Sequence, residues 1–136
     1  PVERPASAFA AGALASADIE RGFWWSGSNQ VLNGVIGAAR PVPFRINEPE
    51  TESNRLNEAN VATIIHQNGY RVWGNRSAAT DPLWTFLSVR RTADMIYESV
   101  EQSLLWAMDR PINAQTISDV RDSVQGYINT LIARGA

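Results

Sequence analysis

Few residues of this chain suit acid–base or nucleophilic chemistry, and they do not cluster along the sequence. The 136 residues include one histidine, His66, and no cysteine. Thiolate metal sites and disulfides within the chain are therefore excluded, and the sequence does not show several metal ligands at a suitable spacing. Serine is plentiful, but no Gly-X-Ser-X-Gly motif marks a nucleophile, and only His66 could act as its base. We predict that the chain is not an enzyme and has no metal site.

Carboxylate pairs occur one helical turn apart, as Glu98 with Glu101 and as Asp119 with Asp122. General acid catalysis would need one such carboxyl in an apolar pocket, and the surrounding sequence indicates no such pocket. A solvated helix face explains both pairs more simply. The glycines of NGVIG (33–37) lack the strand, glycine motif and helix order of a dinucleotide site, and the chain has no lysine for a phosphate-binding loop. We therefore expect no cofactor.

Arginine and aromatic residues are interleaved in NGYRVWGNRSAATDPLW, which runs from Asn68 to Trp84. This composition fits a nucleic-acid groove, a hot spot of a protein interface or a structural corner. The chain has 12 basic residues, all of them arginine, and 14 acidic residues, so its net charge of −2 weighs against binding to phosphate. We favour the structural corner, with Trp73 in the core and with Arg71 and Arg76 paired with carboxylates. A nucleic-acid-binding module that uses this Arg- and Trp-rich surface is the alternative.

The elements that position these residues follow from hydrophobic periodicity and turn signals. Asn68-Gly69 is a strong hairpin signal because two extended runs flank it. Residues 31–36 could hold a short strand. In chain order we predict a helix, a short helix, the two strands of a hairpin and a third strand, at residues 6–17, 54–60, 61–65, 70–73 and 83–89.

After the predicted third strand, the apolar period changes to about 3.6 residues, which is typical of amphipathic helices. We predict helices at residues 90–108 and 113–134, with Asn113 as the N-cap of the second and Gly135 at its C-terminal end. Their short connection predicts antiparallel neighbours. No apolar run is long enough to cross a membrane. Since the chain begins without methionine and ends with the second helix, we interpret it as a piece of a longer protein.

Five charged residues on these two helices are candidates for contacts with other subunits in an assembly. Arg90 and Arg91 open the first helix, where positive charge opposes the helix dipole. Pairing with carboxylates would relieve this conflict, and we favour partners within the same fold over partners on a neighbour. Asp119, Arg121 and Asp122 lie opposite the apolar stripe of the second helix.

Several short motifs recur in a specific order over nearly the whole chain. They are LNGVIG (32–37), LNEA (56–59), GYRVWGNR (69–76), DP (81–82), RRTA (90–93) and WAMDRPI (106–112). Their order and spacing resemble the sheath proteins of contractile phage tails, of the kind found in P2-like myophages and R-type pyocins.

The resemblance implies an α+β fragment, internal to C-terminal, of a longer sheath protein. Residues 1–80 would close the middle domain, which is subtilisin-like in its α/β topology without being a protease. Residues 81–136 would begin the C-terminal domain with a β-strand followed by two antiparallel helices. A serine hydrolase remnant is suggested by the topology alone and is the least favoured alternative.

The resemblance also implies a mechanical function. Sheath subunits form stacked rings around a tail tube and, on a baseplate signal, contract and drive the tube through the envelope of a target cell. The implied partners are other sheath subunits, the tail tube protein, the baseplate and the tail terminator, without nucleic acid and without membrane insertion. The implied location is the sheath of the virion tail, assembled in the cytoplasm of the bacterial host. The resemblance does not separate phage tails from bacteriocins or other contractile injection systems.

Overall fold

A computed structural model describes residues 2–136 of the chain. Within this range, four α-helices accompany one two-stranded antiparallel sheet, which confirms the α+β class. In chain order these elements are α1 (Ala6–Arg21), α2 (Glu52–Glu58), β1 (Thr63–His66), β2 (Tyr70–Trp73), α3 (Leu87–Ser103) and α4 (Ala114–Arg134). The chain divides into a first unit that ends at Arg91 and a second unit, Thr92–Ala136.

The hairpin of β1 and β2 confirms the expectation from the Asn-Gly pair. Its register places Ile64 opposite Val72 and His66 opposite Tyr70. The pairing of His66 with Tyr70 leaves a three-residue loop, in which Asn68 and Gly69 both have positive φ, 50° and 104°. Short hairpin loops need such left-handed positions, which Asn and Gly tolerate best. β2 has the predicted bounds, whereas β1 begins two residues later than expected.

The first unit has buried side chains on both faces of this hairpin: Ile65, which is 1% exposed, lies on one face, and a hydrophobic cluster lies on the other. Val72 of β2, Leu32 and Ala13 of α1 are the buried members of the cluster, and Phe9 and Ile64 pack against them. Cross-strand partners point to the same face of a sheet, so Ile64 and Val72 present one surface to α1. The small Ala13 side chain lets the backbone of α1 approach that surface closely.

The predicted third strand at residues 83–89 is wrong. Pro82–Trp84 form a single 3-10 turn, only Phe86 makes a β-bridge, to Arg76, and α3 begins at Leu87. Asp81 caps the turn by accepting a hydrogen bond from the Leu83 N–H at 2.9 Å. The cap and the fixed φ of proline favour a helical turn, and this local preference outweighs the β propensity of the apolar residues that follow.

Residues 31–36 also form no regular strand. Val31 alone bridges Arg71, on the free side of β2, and Val42 bridges Ile65 on the other side of the hairpin. The sheet is therefore extended on both sides by single bridges rather than by full strands.

Both helices of the C-terminal half exist, with shifted bounds for the first. α3 ends at Ser103, and the 3-10 turn Leu105–Ala107 occupies the predicted last turn. α4 is capped as predicted: Asn113 Oδ1 accepts from the Thr116 N–H at 2.8 Å, and Gly135 adopts the left-handed conformation. The antiparallel packing of α3 and α4 stays a prediction. Among the described helices, none is long and apolar enough to cross a membrane.

Candidate assembly surfaces

The Arg- and Trp-rich segment from Asn68 to Trp84 contributes to the interior of the first unit. Val72 is buried, and the half-buried Trp73 ring meets the edge of Phe44 with the ring centroids 4.7 Å apart. Such edge contacts between aromatic rings stabilise a packed arrangement beyond the area they bury. The contact between these two rings fits the structural corner.

Arg71 does not pair with a carboxylate, so that prediction is wrong. Its guanidinium donates to the backbone oxygen of Gln67 at 3.0 Å and to the backbone and side-chain oxygens of Asn29 at 3.0 and 3.2 Å. Three carbonyl oxygens from two loops accept hydrogen bonds from the guanidinium and occupy its donors without a carboxylate. Among residues 2–136, no carboxylate lies within ion-pair distance of Arg76, so its predicted pairing is also wrong.

Gly74 follows the hairpin at the point of closest approach between two backbones. Its φ is +126°, and a Cβ built there would lie 2.5 Å from Asn57 Oδ1 and 3.0 Å from the Cα of Ala62. The Gly74 N–H donates to the Ser28 hydroxyl at 3.0 Å. Only glycine has both the backbone freedom and the missing side chain that this position requires.

The candidate Arg91 forms an ion pair within the first unit. Its guanidinium contacts the carboxylate of Asp18 in the last turn of α1, and the two side chains are 25% and 29% exposed. Because α3 begins at Leu87, Arg91 lies in the second turn, where the helix dipole opposes it less than expected. Asp18 Oδ1 and Arg91 Nη1 are buried without a hydrogen-bond partner in the described structure. The preference for a partner within the fold is thus confirmed for Arg91.

The candidate Arg90 is exposed and interacts with an aromatic ring. Its guanidinium carbon lies 4.7 Å from the ring centroid of Trp84, which is cation–π distance. The Trp84 carbonyl in turn accepts a hydrogen bond from the Ser77 hydroxyl. Trp84 thereby links the start of α3 to the loop after the hairpin.

The three remaining candidates lie along α4 in the second unit. Arg121 and Asp122 are exposed, and Asp119 is half-buried and accepts from Gln115 Nε2 at 2.7 Å. The hydrogen bond between Gln115 and Asp119 spans one helical turn. The charges of Arg121 and Asp122 are on the surface of α4. The role of all five candidates in subunit or tube contacts stays a prediction.

Residues 2–136 contain no group of three or more histidine, cysteine, aspartate or glutamate side chains arranged to hold a metal ion. His66 is exposed, and its ring lies 4.8 Å from the ring of Tyr70, its partner across the hairpin. His66, the one residue that could act as a base for a serine nucleophile, is therefore a surface residue beside an aromatic ring.

Sequence reasoning missed two apolar surfaces. One is the connection between α3 and α4, where Leu105, Met108 and Ile112 are 60%, 67% and 90% exposed beside the stacked pair of Trp106 and Arg110. The other is a groove of about 790 Å³ in the first unit. The connection falls outside any helical period and the groove is formed by distant segments, so neither leaves a periodic signal.

Two known protein families match consecutive parts of the chain, which together cover residues 2–136. Residues 2–78 match the family described as the phage tail sheath protein central domain, and residues 79–136 match the phage tail sheath C-terminal domain. The chain is 41% identical over 132 residues to a prophage major tail sheath protein of Pseudomonas aeruginosa, covering 97% of the chain and 34% of that relative. It is 36% identical over 130 residues to the tail sheath protein of Escherichia phage P2, covering 96% of the chain and 33% of the relative. The chain thus spans about a third of the length of these relatives.

Solved structures of a contractile system also resemble this chain. A chain in the cryo-EM structure of the anti-feeding prophage baseplate superposes with a TM-score of 0.89 at 30% identity, covering all of this chain and 37% of the other. A chain of the contracted helical sheath of the same system superposes with a TM-score of 0.82, also at 30% identity. The match covers 100% of the present chain and 37% of the sheath chain. Two family descriptions in the order of the chain, relatives at this identity and shared structure all agree: the chain belongs to the phage tail sheath protein family.

Proposed function

We propose that the protein to which this chain belongs is a structural subunit of a contractile tail sheath. It polymerises as stacked rings around a tail tube and contracts to drive the tube through the envelope of a target cell. The observation that carries the proposal is the match of the whole chain to two consecutive sheath domains, supported by the structural likeness to a sheath in its contracted state.

The proposed mechanism stores free energy in the packing between subunits. Two arrangements of the same subunits differ in free energy, and a baseplate signal lets the assembly pass from one to the other. Strand addition between neighbours would keep the subunits connected throughout. No reaction is catalysed and no nucleotide is consumed in this mechanism. The proposed partners are further sheath subunits, the tube protein, the baseplate and the terminator, and the proposed location is the virion tail, with assembly in the host cytoplasm.

We also propose that the chain contains parts of two domains and that the second of them carries the contacts with other subunits or the tube. Residues 1–80 belong to the middle domain and residues 81–136 to the C-terminal domain, a division supported by the family matches, which meet between residues 78 and 79. Charged side chains on the helices of the C-terminal domain contact neighbouring subunits or the tube. The candidates are Arg90, Arg91, Asp119, Arg121 and Asp122.

Electron microscopy of the full-length protein produced with its tube protein tests the proposal. We expect helical tubes of uniform diameter, and a protein that stays monomeric at high concentration with the tube present would contradict it. Arg121→Glu tests the charged surface of α4, and Arg55→Glu, an exposed charge reversal on α2, is the matched control. If only Arg121→Glu reduces tube formation, the α4 surface is a contact; equal assembly of both variants would remove it.

A further inference from the structure

The dipeptide Asn-Gly occurs twice in the chain, as Asn33-Gly34 and as Asn68-Gly69. Both asparagines are exposed, and both glycines have positive φ, 77° and 104°. In this dipeptide the backbone attacks the asparagine side chain with the least hindrance, because glycine has no side chain beside its own nitrogen. Two copies of one reactive dipeptide in different loops separate the effect of local structure from that of sequence.

The reaction in question is spontaneous deamidation through a cyclic imide. The glycine nitrogen gives its proton to a base in the solvent and bonds to Cγ of the asparagine. The bond between Cγ and the amide nitrogen breaks, and that nitrogen takes up a proton and leaves as ammonia. Water then opens the ring at one of its two carbonyls. The products are aspartate, or isoaspartate, in which the main chain runs through the former side chain and is longer by one methylene.

Asn68 is held in a conformation that opposes ring closure. The ring forms only after a rotation about ψ of the asparagine that brings the glycine nitrogen to Cγ. Asn68 has a φ of 50° in the loop that the pairing of His66 with Tyr70 closes. The Gln67 N–H also donates to the Gly69 oxygen at 2.9 Å across the same loop. Rotation at Asn68 therefore requires the end of the hairpin to open first.

Asn33 has no such restraint. It is not among the residues with positive φ, and in the described structure no backbone–backbone hydrogen bond involves residues 33–40. A Cβ built at Gly34 would meet nothing within 4 Å, so no other segment crowds the backbone there. The nearest backbone hydrogen bond precedes the pair and joins the Leu32 N–H to the Tyr70 oxygen at 2.8 Å. Segments without such bonds open at the lowest free-energy cost, so ψ of Asn33 can rotate while the core stays intact.

We propose that Asn33 is a self-modification site, which deamidates to aspartate and isoaspartate in the folded protein, while the hairpin protects the same dipeptide at residues 68–69. The reaction consumes water and releases ammonia, and no enzyme or cofactor takes part. Each event adds a negative charge next to Leu32, a buried core residue, and the modified fraction increases with the age of the protein. The proposal goes beyond the contractile function and holds whether or not the sheath contracts.

Peptide mapping of the aged full-length protein tests this proposal. The protein is kept at neutral pH and physiological temperature and is then digested under mildly acidic conditions, which prevent further reaction during digestion. Mass spectrometry follows both Asn-Gly peptides over time, since replacement of the amide NH2 by OH marks deamidation. The same measurement in urea gives the intrinsic rate of each pair without the folded structure.

In the folded protein we expect Asn33 to deamidate at least about tenfold faster than Asn68, whereas in urea the two rates should agree within about threefold. If Asn33 reacts no faster than Asn68 in the folded protein, the proposal is overturned. A difference of the same size in urea would assign it to neighbouring residues in the sequence and overturn the protective role of the hairpin.

Two variants give a second readout. Asn33→Gln removes the site, because glutamine would have to form a larger ring and deamidates far more slowly. Asn68→Gly is the matched control, since glycine adopts positive φ without strain. By isoelectric focusing of the aged monomer, we expect the acidic isoform of the parent to form equally in Asn68→Gly and clearly less in Asn33→Gln. Asparagines elsewhere contribute equally to all three proteins, so equal amounts in the two variants would contradict the assignment to Asn33.

Discussion

Replacement of Gly74 by alanine tests whether the backbone approach after the hairpin holds the first unit together. The added Cβ would be 3.0 Å from the Cα and 3.2 Å from the Cβ of Ala62, and 2.5 Å from Asn57 Oδ1. The Asn57 side chain can rotate away, but the Ala62 backbone, which leads into β1, cannot. The substitution therefore forces a shift of the strand itself.

The cost has two sources. A non-glycine residue in a left-handed conformation costs about 1–2 kcal/mol, and overpacking against a neighbouring backbone costs about 1–3 kcal/mol. We expect Gly74→Ala to lower the free energy of unfolding by about 2–5 kcal/mol. With the urea dependence usual for small domains, this corresponds to a fall in the unfolding midpoint of about 1–2 M.

Urea unfolding of the unassembled protein, followed by tryptophan fluorescence and circular dichroism, measures this change. Trp73 adjoins the substitution and is one of the five tryptophans of residues 1–136 that contribute to the fluorescence. Gly126→Ala is the control, because Gly126 lies within α4 and a Cβ there would meet nothing within 4 Å. This control should stabilise by about 0.5–1 kcal/mol, since alanine favours a helix interior. If Gly74→Ala unfolds within about 0.5 kcal/mol of the parent while the control behaves as expected, the close approach at Gly74 is not a structural requirement.

Three further substitutions test the same unit. Asp18→Asn and Arg91→Gln should each destabilise by about 1–3 kcal/mol, because each leaves a half-buried charge without its partner, and the double variant should cost clearly less than the two effects added. Additive costs in a double-mutant cycle by urea unfolding would mean that the pair contributes no coupling. Trp73→Ala should cost about 2–3 kcal/mol, less than the roughly 3–5 kcal/mol of fully buried aromatic truncations, because the ring is half-buried against Phe44. Thermal melting that matches the parent would place the Trp73 ring on a surface and revive the interpretation of its segment as a binding site.

The parts of the fold that sequence reasoning predicted are those with a local cause. Asn68-Gly69 specifies the hairpin turn, and Asn113 specifies the start of α4, because each acts through hydrogen bonds or backbone angles of its immediate neighbours. The prediction of a strand at 83–89 was wrong because it relied on a pattern of apolar residues and overlooked a local signal. The cap at Asp81 starts a helical turn there.

Interactions between distant segments were out of reach of such reasoning. Arg71 donates to Asn29, 42 residues away, and Arg91 pairs with Asp18, 73 residues away. Charge alone indicated that these arginines need acceptors, and only the folded chain shows which ones. The family resemblance predicted more of the fold than hydrophobic periodicity did. Periodicity indicates single elements, whereas the order of short motifs over the whole chain indicates the family and therefore its fold.

The ion pair of Asp18 and Arg91 also restricts how the sequence can drift. Each residue buries one polar atom that no other group satisfies, so the loss of either charge alone strands the other in a half-buried position. We therefore expect single replacements to be disfavoured, whereas exchange of both residues for an apolar pair of similar volume would keep the contact. Over evolutionary time the two positions should therefore change together, although 73 residues separate them in the sequence.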